Sequence, residues 1–207
     1  MHAEQNARKT LTPDFYTRED VVEVARDLLG KALCSNVDNV VTKAIITETE
    51  AYAGVGDRAS HAYGGRRTAR TEPMFAEGGI AYVYLCYGIH HLFNVVTGRR
   101  DNPLAVLVRA GLPLTGVDEM LTRRGRDQAD KQLLAGPGSL SRALGIRTEL
   151  SGSSLAGGAI WIEDHGIEIA DAAIAAGPRI GVDYAAEDAA LPYRFVVAEK
   201  ELGESLA

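Results

Sequence analysis

Two carboxylates and one phenol share a face of a predicted strand. Residues 45–52, with the sequence IITETEAY, alternate with a period of two, so that Glu48, Glu50 and Tyr52 point to the same side. Residues two apart on a strand lie about 6.6–6.8 Å apart. That spacing overlaps the window of about 6.5–9.5 Å in which an acid and a base can flank a glycosidic bond with a water between them. The segment therefore predicts a hydrolytic site, with an acid and base pair as one interpretation.

Arg109 ends a predicted buried strand, residues 104–109, and is the candidate partner of Glu50. A carboxylate on an otherwise apolar strand costs several kcal/mol when buried, unless it is paired or hydrogen-bonded. These residues alone leave two interpretations open. The pair is either a structural ion pair, or an arginine that holds the carboxylate ionised so that it can take a proton from water.

His61 lies in a long polar segment, residues 53–75. The same segment also carries Arg66, Arg67 and Arg70. Long segments without regular structure are usually functional or disordered, but a histidine in such a segment is most often simply solvated. The histidines show no metal-ligand spacing and the two cysteines are far apart, so no metal site is expected.

A second unusual segment, residues 82–94, reads YVYLCYGIHHLFN. It alternates around Tyr87 and Gly88, which predicts a hairpin with Tyr87 at its tip. Tyr82 and Tyr84 share one strand face, where aromatic side chains more often belong to the core than to a binding surface. A tyrosine at an exposed tip is different, because its ring can stack on a nucleic-acid base or enter a duplex.

The elements that must position these residues indicate one mixed α/β domain. A helix is predicted to begin at Thr17, with Asp20 completing a weak capping box, and to end at Gly30. Further predicted elements are strands at 31–35 and 40–52, hairpins at 80–96 and 160–169, and a short helix at 140–144. No repeat or linker divides the chain, so one domain is expected over residues 11–200, between a flexible N-terminal tail (1–10) and a C-terminal tail (201–207).

Composition narrows the class of protein. The 207 residues suffice for one hydrophobic core. No apolar run approaches 18 residues and no signal-peptide core is present, so we expect a cytoplasmic protein without a membrane span. The net charge of −6 argues at first against nucleic acid. Residues 40–127, which surround the two glutamates, carry 11 basic and 9 acidic side chains, so a polyanion could bind there. Charge alone favours the simpler interpretation, that an excess of two is not significant.

Taken in order, these residues resemble the alkyladenine (3-methyladenine or methylpurine) DNA glycosylase family over about residues 11–197. The motifs are ETEAY at 48–52, H-x-x-G-G-R at 61–66, MF at 74–75, YVYLCYG at 82–88, PRIGV at 178–182 and RF at 194–195. The resemblance implies a single compact domain of the mixed α/β (α+β) class, with a curved antiparallel β-sheet flanked by helices and a protruding β-hairpin that meets the minor groove. It also implies a monomer that uses neither metal nor cofactor.

The resemblance further implies catalytic and pocket roles. Glu50 matches the general base that activates the attacking water, and Arg109 matches an arginine that helps to hold that water. Glu48 then becomes a supporting residue, which replaces the acid and base pair as the interpretation of the strand. Tyr52 and His61 match residues that line the base pocket.

Four more residues match positions that contact the base or the DNA. Tyr84 matches the ring that stacks on the opposite face of the flipped base. Asn94 matches the residue that crowds the exocyclic amino group of guanine. Tyr87 matches the side chain that fills the gap in the duplex, and Arg66 matches a phosphate contact.

The implied function is a monofunctional DNA glycosylase of base excision repair. It would flip alkylated or deaminated purines (3-methyladenine, hypoxanthine or ethenoadenine type) out of double-stranded DNA and hydrolyse the N-glycosidic bond. Two alternatives stay open: a non-catalytic damaged-DNA-binding module, and a hydrolase of free nucleosides. Ser139 stands where family members often carry a basic residue near the phosphates. With the negative net charge, this predicts weak and strongly salt-dependent DNA binding.

Overall fold

The computed structural model describes residues 9–202, and its longest strand, β3 (Val40–Tyr52), has the bounds predicted from its sequence. The other strands are β1 (Lys9–Thr10), β2 (Ala32–Val37), β4 (Ala81–Cys86), β5 (His90–Thr97), β6 (Leu104–Thr115), β7 (Ile160–Asp164), β8 (Ile174–Gly177) and β9 (Arg194–Val197). The α-helices are short: α1 (Pro13–Tyr16), α2 (Val21–Asp27), α3 (Val117–Arg124) and α4 (Pro137–Ala143).

All nine strands join one antiparallel sheet, which confirms the predicted fold class. The order is β1-β7-β2-β3-β6-β5-β4, and β9 joins β3 to β8. One edge of β3 pairs with β6. The other edge pairs with β2 along its first half and with β9 at residues 48–50. The segment that carries the glutamates is therefore held by backbone hydrogen bonds on both edges.

Two bulges change the pairing of β3 with β6 next to Glu48. Ile46 opposes Gly111 and Glu48 opposes Ala110, so Thr47 is an extra residue in β3. Thr49 then opposes Val108, which makes Arg109 an extra residue in β6. Bulges redirect side chains and are frequent beside active sites. Here the second bulge places Arg109 directly opposite the glutamates.

The first long helix begins later than the predicted start at Thr17. Asp20 is its N-cap: the carboxylate accepts hydrogen bonds from the backbone N–H groups of Val22 and Glu23, both at 3.0 Å. An aspartate that satisfies two free N–H groups fixes the start at the next residue. The chain before it forms the single turn α1, which has a proline in its first turn and which the apolar spacing does not predict.

The predicted hairpin at 80–96 is confirmed as β4 and β5. Cys86 pairs with His90, and the N–H of Ile89 donates to the carbonyl of Cys86 at 3.1 Å. Tyr87 and Gly88 both have positive φ, at +51° and +73°. Two central residues with positive φ are typical of the turn that matches strand twist in hairpins. Glycine adopts this conformation readily, whereas a tyrosine is strained there.

The second predicted hairpin, 160–169, is wrong in its return strand. β7 ends at Asp164 and pairs with β1 on one edge and β2 on the other, so no edge is left for a returning strand. The apolar residues after the turn pack elsewhere: Ile167 is buried and, with Ile169, lies against Gly30.

The structure describes two residues of each predicted tail. Residues 9 and 10 form β1, and Leu202 is fully buried in the main core. The rest of the predicted tails, 1–8 and 203–207, lies outside the described residues. Residues 53–75 contain three short 3-10 turns rather than a continuous loop.

Candidate active site

A cavity of about 530 Å³ opens between β3, the hairpin and the segments 59–74 and 180–184. Its lining includes six of the eight predicted site residues: Tyr52, His61, Tyr84, Tyr87, Asn94 and Arg109. Glu50 contacts two of these lining residues from behind. Arg66 lies outside the lining, on the exposed part of the same long segment.

Glu50 is completely buried (0% exposed), and both of its oxygens are occupied. Oε1 accepts the backbone N–H of Ile180 at 2.8 Å and lies 3.2 Å from Nη1 of Arg109. Oε2 accepts the hydroxyl of Tyr52 at 2.9 Å. A carboxylate offers about four acceptor positions. Two hydrogen bonds and one ion-pair contact therefore use three of these positions.

Arg109 is shared between two glutamates. Its Nε donates to Oε1 of Glu48 at 2.8 Å, while its Nη1 faces Glu50. Arg194 of β9 donates to the same oxygen of Glu48 at 2.6 Å. Glu48 therefore neutralises two arginines and orients one of them, which makes it a structural part of the site. Arg109 pairs with both glutamates and also lines the cavity, a position compatible with either interpretation of the Glu50 and Arg109 pair.

Tyr52 is backed by a buried ion pair that the sequence does not predict. The guanidinium of Arg179 lies 4.9 Å from the centre of the Tyr52 ring, within range of a cation–π contact. Arg179 also donates to Oδ1 of Asp57 at 2.9 Å and to the carbonyl of Ala51 at 2.9 Å. Burial, and then the charge of Glu50, raise the pKa of Tyr52 above its usual range, so the phenol stays protonated and donates to Glu50.

His61 is an uncharged ring in this site. Burial lowers its pKa to about 4, and the nearby charges of Arg70 and Arg66 add to the shift. Its Nδ1 shares a hydrogen bond of 2.8 Å with the hydroxyl of Tyr82. Nη2 of Arg70 lies 3.4 Å from Nε2; because arginine can only donate, Nε2 is the acceptor and Nδ1 carries the proton.

Tyr84 and His61 touch each other across the cavity. Their ring centres are 4.6 Å apart at an angle of 78°, and the guanidinium of Arg70 lies 5.0 Å from the Tyr84 ring centre. A flat base between two rings needs about 7 Å, because each contact takes about 3.5 Å. The Tyr84 and His61 rings are therefore too close for a base to lie between them, and they would have to separate first.

Asn94 is a fixed part of the cavity wall. It pairs with Tyr82 across the hairpin, and its amide nitrogen donates to the carbonyl of Tyr82 at 3.1 Å. The residue is almost fully buried, so its side chain has little freedom to move aside. Asn94 therefore limits the width of a ligand that enters the cavity.

Exposed apolar side chains surround the cavity opening. Tyr87, at the tip of the hairpin, is 91% exposed, and Ile180 and Tyr184 are each more than half exposed. Exposed apolar groups gathered at one opening mark an interaction surface. The strained turn holds the Tyr87 ring away from the body of the protein, where a partner can reach it.

The arginines of the long segment divide into two kinds. Arg67 is committed to ion pairs with Glu72 and Asp101. In the part of the chain that the structure describes, Arg66 and Arg70 have no acidic side chain within 4.0 Å. Arg66 and Arg70 are therefore the cations of this segment that are available to an anionic partner.

Sequence reasoning missed four residues that hold the site together: Asp57, Arg179, Ile180 and Arg194. The PRIGV and RF motifs contain three of them, but no local pattern assigns them a partner. Within residues 9–202, no cluster of three His, Cys, Asp or Glu side chains has the geometry of a metal site. None of the helices described is both long and apolar enough to cross a membrane.

Comparison with known proteins identifies the family. The family model for methylpurine-DNA glycosylase matches residues 14–201. A protein of Chlamydia abortus is 45% identical over 188 residues, which cover 90% of this chain and 97% of that protein. A protein of Bacillus thuringiensis is 46% identical over 191 residues (88% and 93%), and one of Desulfitobacterium hafniense is 40% identical over 200 residues (93% and 97%). Each is named "Putative 3-methyladenine DNA glycosylase". The chain therefore belongs to the methylpurine-DNA glycosylase family and is a DNA N-glycosylase, a hydrolase.

Proposed function

We propose that this enzyme removes alkylated and deaminated purines from double-stranded DNA by base flipping and a Glu50-activated water. The observation that carries the proposal is the buried Glu50 carboxylate, fixed by Arg109, Tyr52 and the N–H of Ile180 behind an aromatic cavity. The substrates are bases of the 3-methyladenine, hypoxanthine and ethenoadenine type. The enzyme acts as a monomer in the cytoplasm, associated with the nucleoid when bound to DNA.

The hydrolytic step needs one base and one positioned water. The water occupies the free acceptor position of Glu50 and attacks C1′ of the deoxyribose while Glu50 takes its proton. Arg109 keeps the carboxylate ionised and helps to hold the water. Alkylated purines such as 3-methyladenine carry a positive charge and leave readily, so their release does not require a strong acid, and Glu48 remains a supporting residue. A neutral base such as hypoxanthine takes up a proton from solvent as it leaves.

The base pocket recognises the lesion by stacking. A cationic purine between Tyr52 and Tyr84 gains a cation–π contribution of about 0.5–2 kcal/mol. Asn94 crowds the position of the guanine amino group and thereby disfavours normal bases. The Tyr84 and His61 rings separate to admit the base, and Arg70 leaves the face of Tyr84 at the same time.

The hairpin supplies the other half of the flipping step. Extruding a nucleotide costs a few kcal/mol, and least for a damaged or poorly paired base. The exposed Tyr87 ring enters the duplex and fills the gap that the nucleotide leaves. Arg66 contacts a phosphate of the same region, which fits its exposure and its lack of an acidic partner in the described chain.

A base-release assay tests the proposal. Duplexes with a single 3-methyladenine, hypoxanthine or ethenoadenine are incubated with the enzyme, and abasic sites are measured after alkaline cleavage. We expect release from at least one of these duplexes and none from undamaged DNA. Lesion-selective binding without release would instead support a non-catalytic module. Release from free nucleosides that Tyr87→Ala leaves unchanged would support a nucleoside hydrolase.

A further inference from the structure

A second cavity of about 530 Å³ opens on the other side of the hairpin from the base pocket. Its wall includes Ile89, His90 and His91 and four arginines: Arg123, Arg124, Arg142 and Arg147. We call this cavity the arginine cleft. No aspartate or glutamate is found among the described residues that line it. A cavity of this size, whose charged lining side chains are all cationic, is suited to an anionic ligand.

Three of the four arginines are available to a ligand. Arg123 is committed, because it pairs with Glu119 and donates to two backbone carbonyls. Arg124 and Arg142 are held by backbone carbonyls alone among the described residues: Arg124 by those of Leu133 and Gln132, and Arg142 by that of Arg123. Over residues 9–202, no acidic side chain lies within 4.0 Å of Arg124, Arg142 or Arg147.

The charges in the cleft are not balanced from within. Burial lowers the pKa of Arg124, and the like charges of Arg142 and Arg126 lower it further, while the charge of Asp130 offsets only part of this effect. Arg126 has its own partner, Asp130, whereas Arg142 and Arg147 are exposed. A bound anion would relieve this repulsion, which is why the cluster indicates a ligand rather than an internal structural role.

The distribution of unpaired arginines singles out the hairpin. In a protein of net charge −6, most described arginines have an acidic partner. The six described arginines without one are Arg66, Arg70, Arg100, Arg124, Arg142 and Arg147. Two of them lie beside the base pocket and three in the cleft, so five of the six flank the hairpin.

The hairpin wall of the cleft is rigid. A Cβ atom added to Gly138 would lie 2.9 Å from the His90 ring, so α4 packs closely against the hairpin beside its turn. Nδ1 of His91 accepts the backbone N–H of Thr148 at 3.2 Å. In the neutral ring this leaves Nε2–H as a further hydrogen-bond donor on the wall.

We propose that the arginine cleft binds backbone phosphates of duplex DNA on the side of the hairpin opposite the base pocket. The inference rests on the proposed function, because the Tyr87 hairpin must enter the duplex. The minor groove is about 6 Å wide and is bounded by both backbones, so phosphates lie on either side of an inserted hairpin. Arginine binds phosphate through two parallel hydrogen bonds. The cleft thereby takes over the function of the basic residue that Ser139 replaces.

The cleft adds phosphate contacts, so we expect tighter DNA binding than the net charge predicts, and strong salt dependence. Each neutralised phosphate contributes about −0.9 to the slope of log K against log[salt]. Five available arginines correspond to a slope of about −4.5. The cleft accounts for more than half of it.

The test is the salt dependence of binding to a lesion-free duplex, measured by fluorescence anisotropy from 50 to 200 mM salt. Arg142→Gln with Arg147→Gln should make the slope shallower by about 1.8, so that the loss of affinity over this range is about tenfold smaller than in the wild type. Arg142→Lys with Arg147→Lys should restore most of the slope. Arg99→Gln with Arg100→Gln removes the same charge at the far end of β5 and should leave the slope unchanged.

An unchanged slope in the glutamine double variant would overturn the proposal, and so would an equal change in the Arg99 and Arg100 control. Arg147→Gln alone, which breaks no described ion pair, should still change the slope by about 0.9. Binding of adenosine monophosphate or inorganic phosphate at the cleft, seen by NMR while the duplex slope stays constant, would assign it to small anions instead. Failure of the wild type to release any base would refute the proposed function, but the slope comparison would still decide the cleft.

Discussion

Replacing Glu50 and Glu48 separately with glutamine should give opposite effects on rate and stability. In Glu50→Gln the amide oxygen still accepts the N–H of Ile180, and Arg109 keeps its 2.8 Å contact with Glu48. We therefore expect a loss in the free energy of unfolding of only about 1–2 kcal/mol. The general base is lost, so the rate of base release should fall by about 10²–10⁴-fold.

Glu48→Gln removes the shared partner of Arg109 and Arg194. Breaking a buried ion pair costs about 3–5 kcal/mol. Because Arg109 retains Glu50 and Arg194 is partly exposed, we expect about 2–3 kcal/mol here. The rate should fall by less than about tenfold, since Glu50 still activates the water.

The two quantities are measured separately. Single-turnover release from a hypoxanthine duplex gives the rate, and urea unfolding gives the stability. The assignment of Glu50 as the base is refuted if its glutamine variant retains a rate within tenfold of the wild type. The assignment of Glu48 as a supporting residue is refuted if its variant loses as much rate as Glu50→Gln while remaining folded.

Three further predictions address the walls of the site. Tyr87→Gly removes the strain of a tyrosine at positive φ, so stability should stay unchanged or rise by up to about 1 kcal/mol. The rate of base release from duplex DNA should fall. A large loss of stability in thermal unfolding would contradict the strain argument. Between the His61 pKa of about 4 and its usual value of about 6.5, the unfolded chain binds more protons than the folded one. The free energy of unfolding should therefore fall by about 2–3 kcal/mol as the pH drops through this range. His61→Phe should reduce that fall, and an identical pH profile in the variant would contradict the assignment. Asp57→Asn leaves Arg179 buried without its charged partner, so the free energy of unfolding measured by chemical denaturation should fall by about 3–5 kcal/mol. Binding of the base should weaken because Tyr52 loses its support. A change under about 1 kcal/mol would contradict a buried ion pair.

Local patterns predict the parts of the site that depend on local structure. Alternation over β3 gives its bounds, and the glycine beside Tyr87 gives the hairpin and its exposed tip. Both are decided by neighbours in sequence, namely a period of two and a turn that requires positive φ. The same patterns place Glu50 and Tyr52 on one face, where the structure joins them by a hydrogen bond.

Tertiary contacts decide the rest. The bulges at Thr47 and Arg109 have no signal in an alternating sequence, yet the second one brings Arg109 to both glutamates. Asp57 and Arg179 are 122 residues apart, so their pairing follows from the fold and not from a motif. The missing return strand after β7 has a similar cause, because both edges of β7 are already paired by distant strands.

Because β3 is paired on both edges at residues 48–50, the two walls of the cavity differ in how freely their residues can change during evolution. The wall that bears Glu50 is bound to β6 and β9, so a substitution there disturbs three strands at once. The opposite wall comes from β4, which lies at the edge of the sheet, and from irregular segments, where side chains change with less cost to the sheet. A lineage can therefore alter which lesions it accepts by changing residues around Tyr84 and Arg70, while the hydrolytic apparatus is inherited intact.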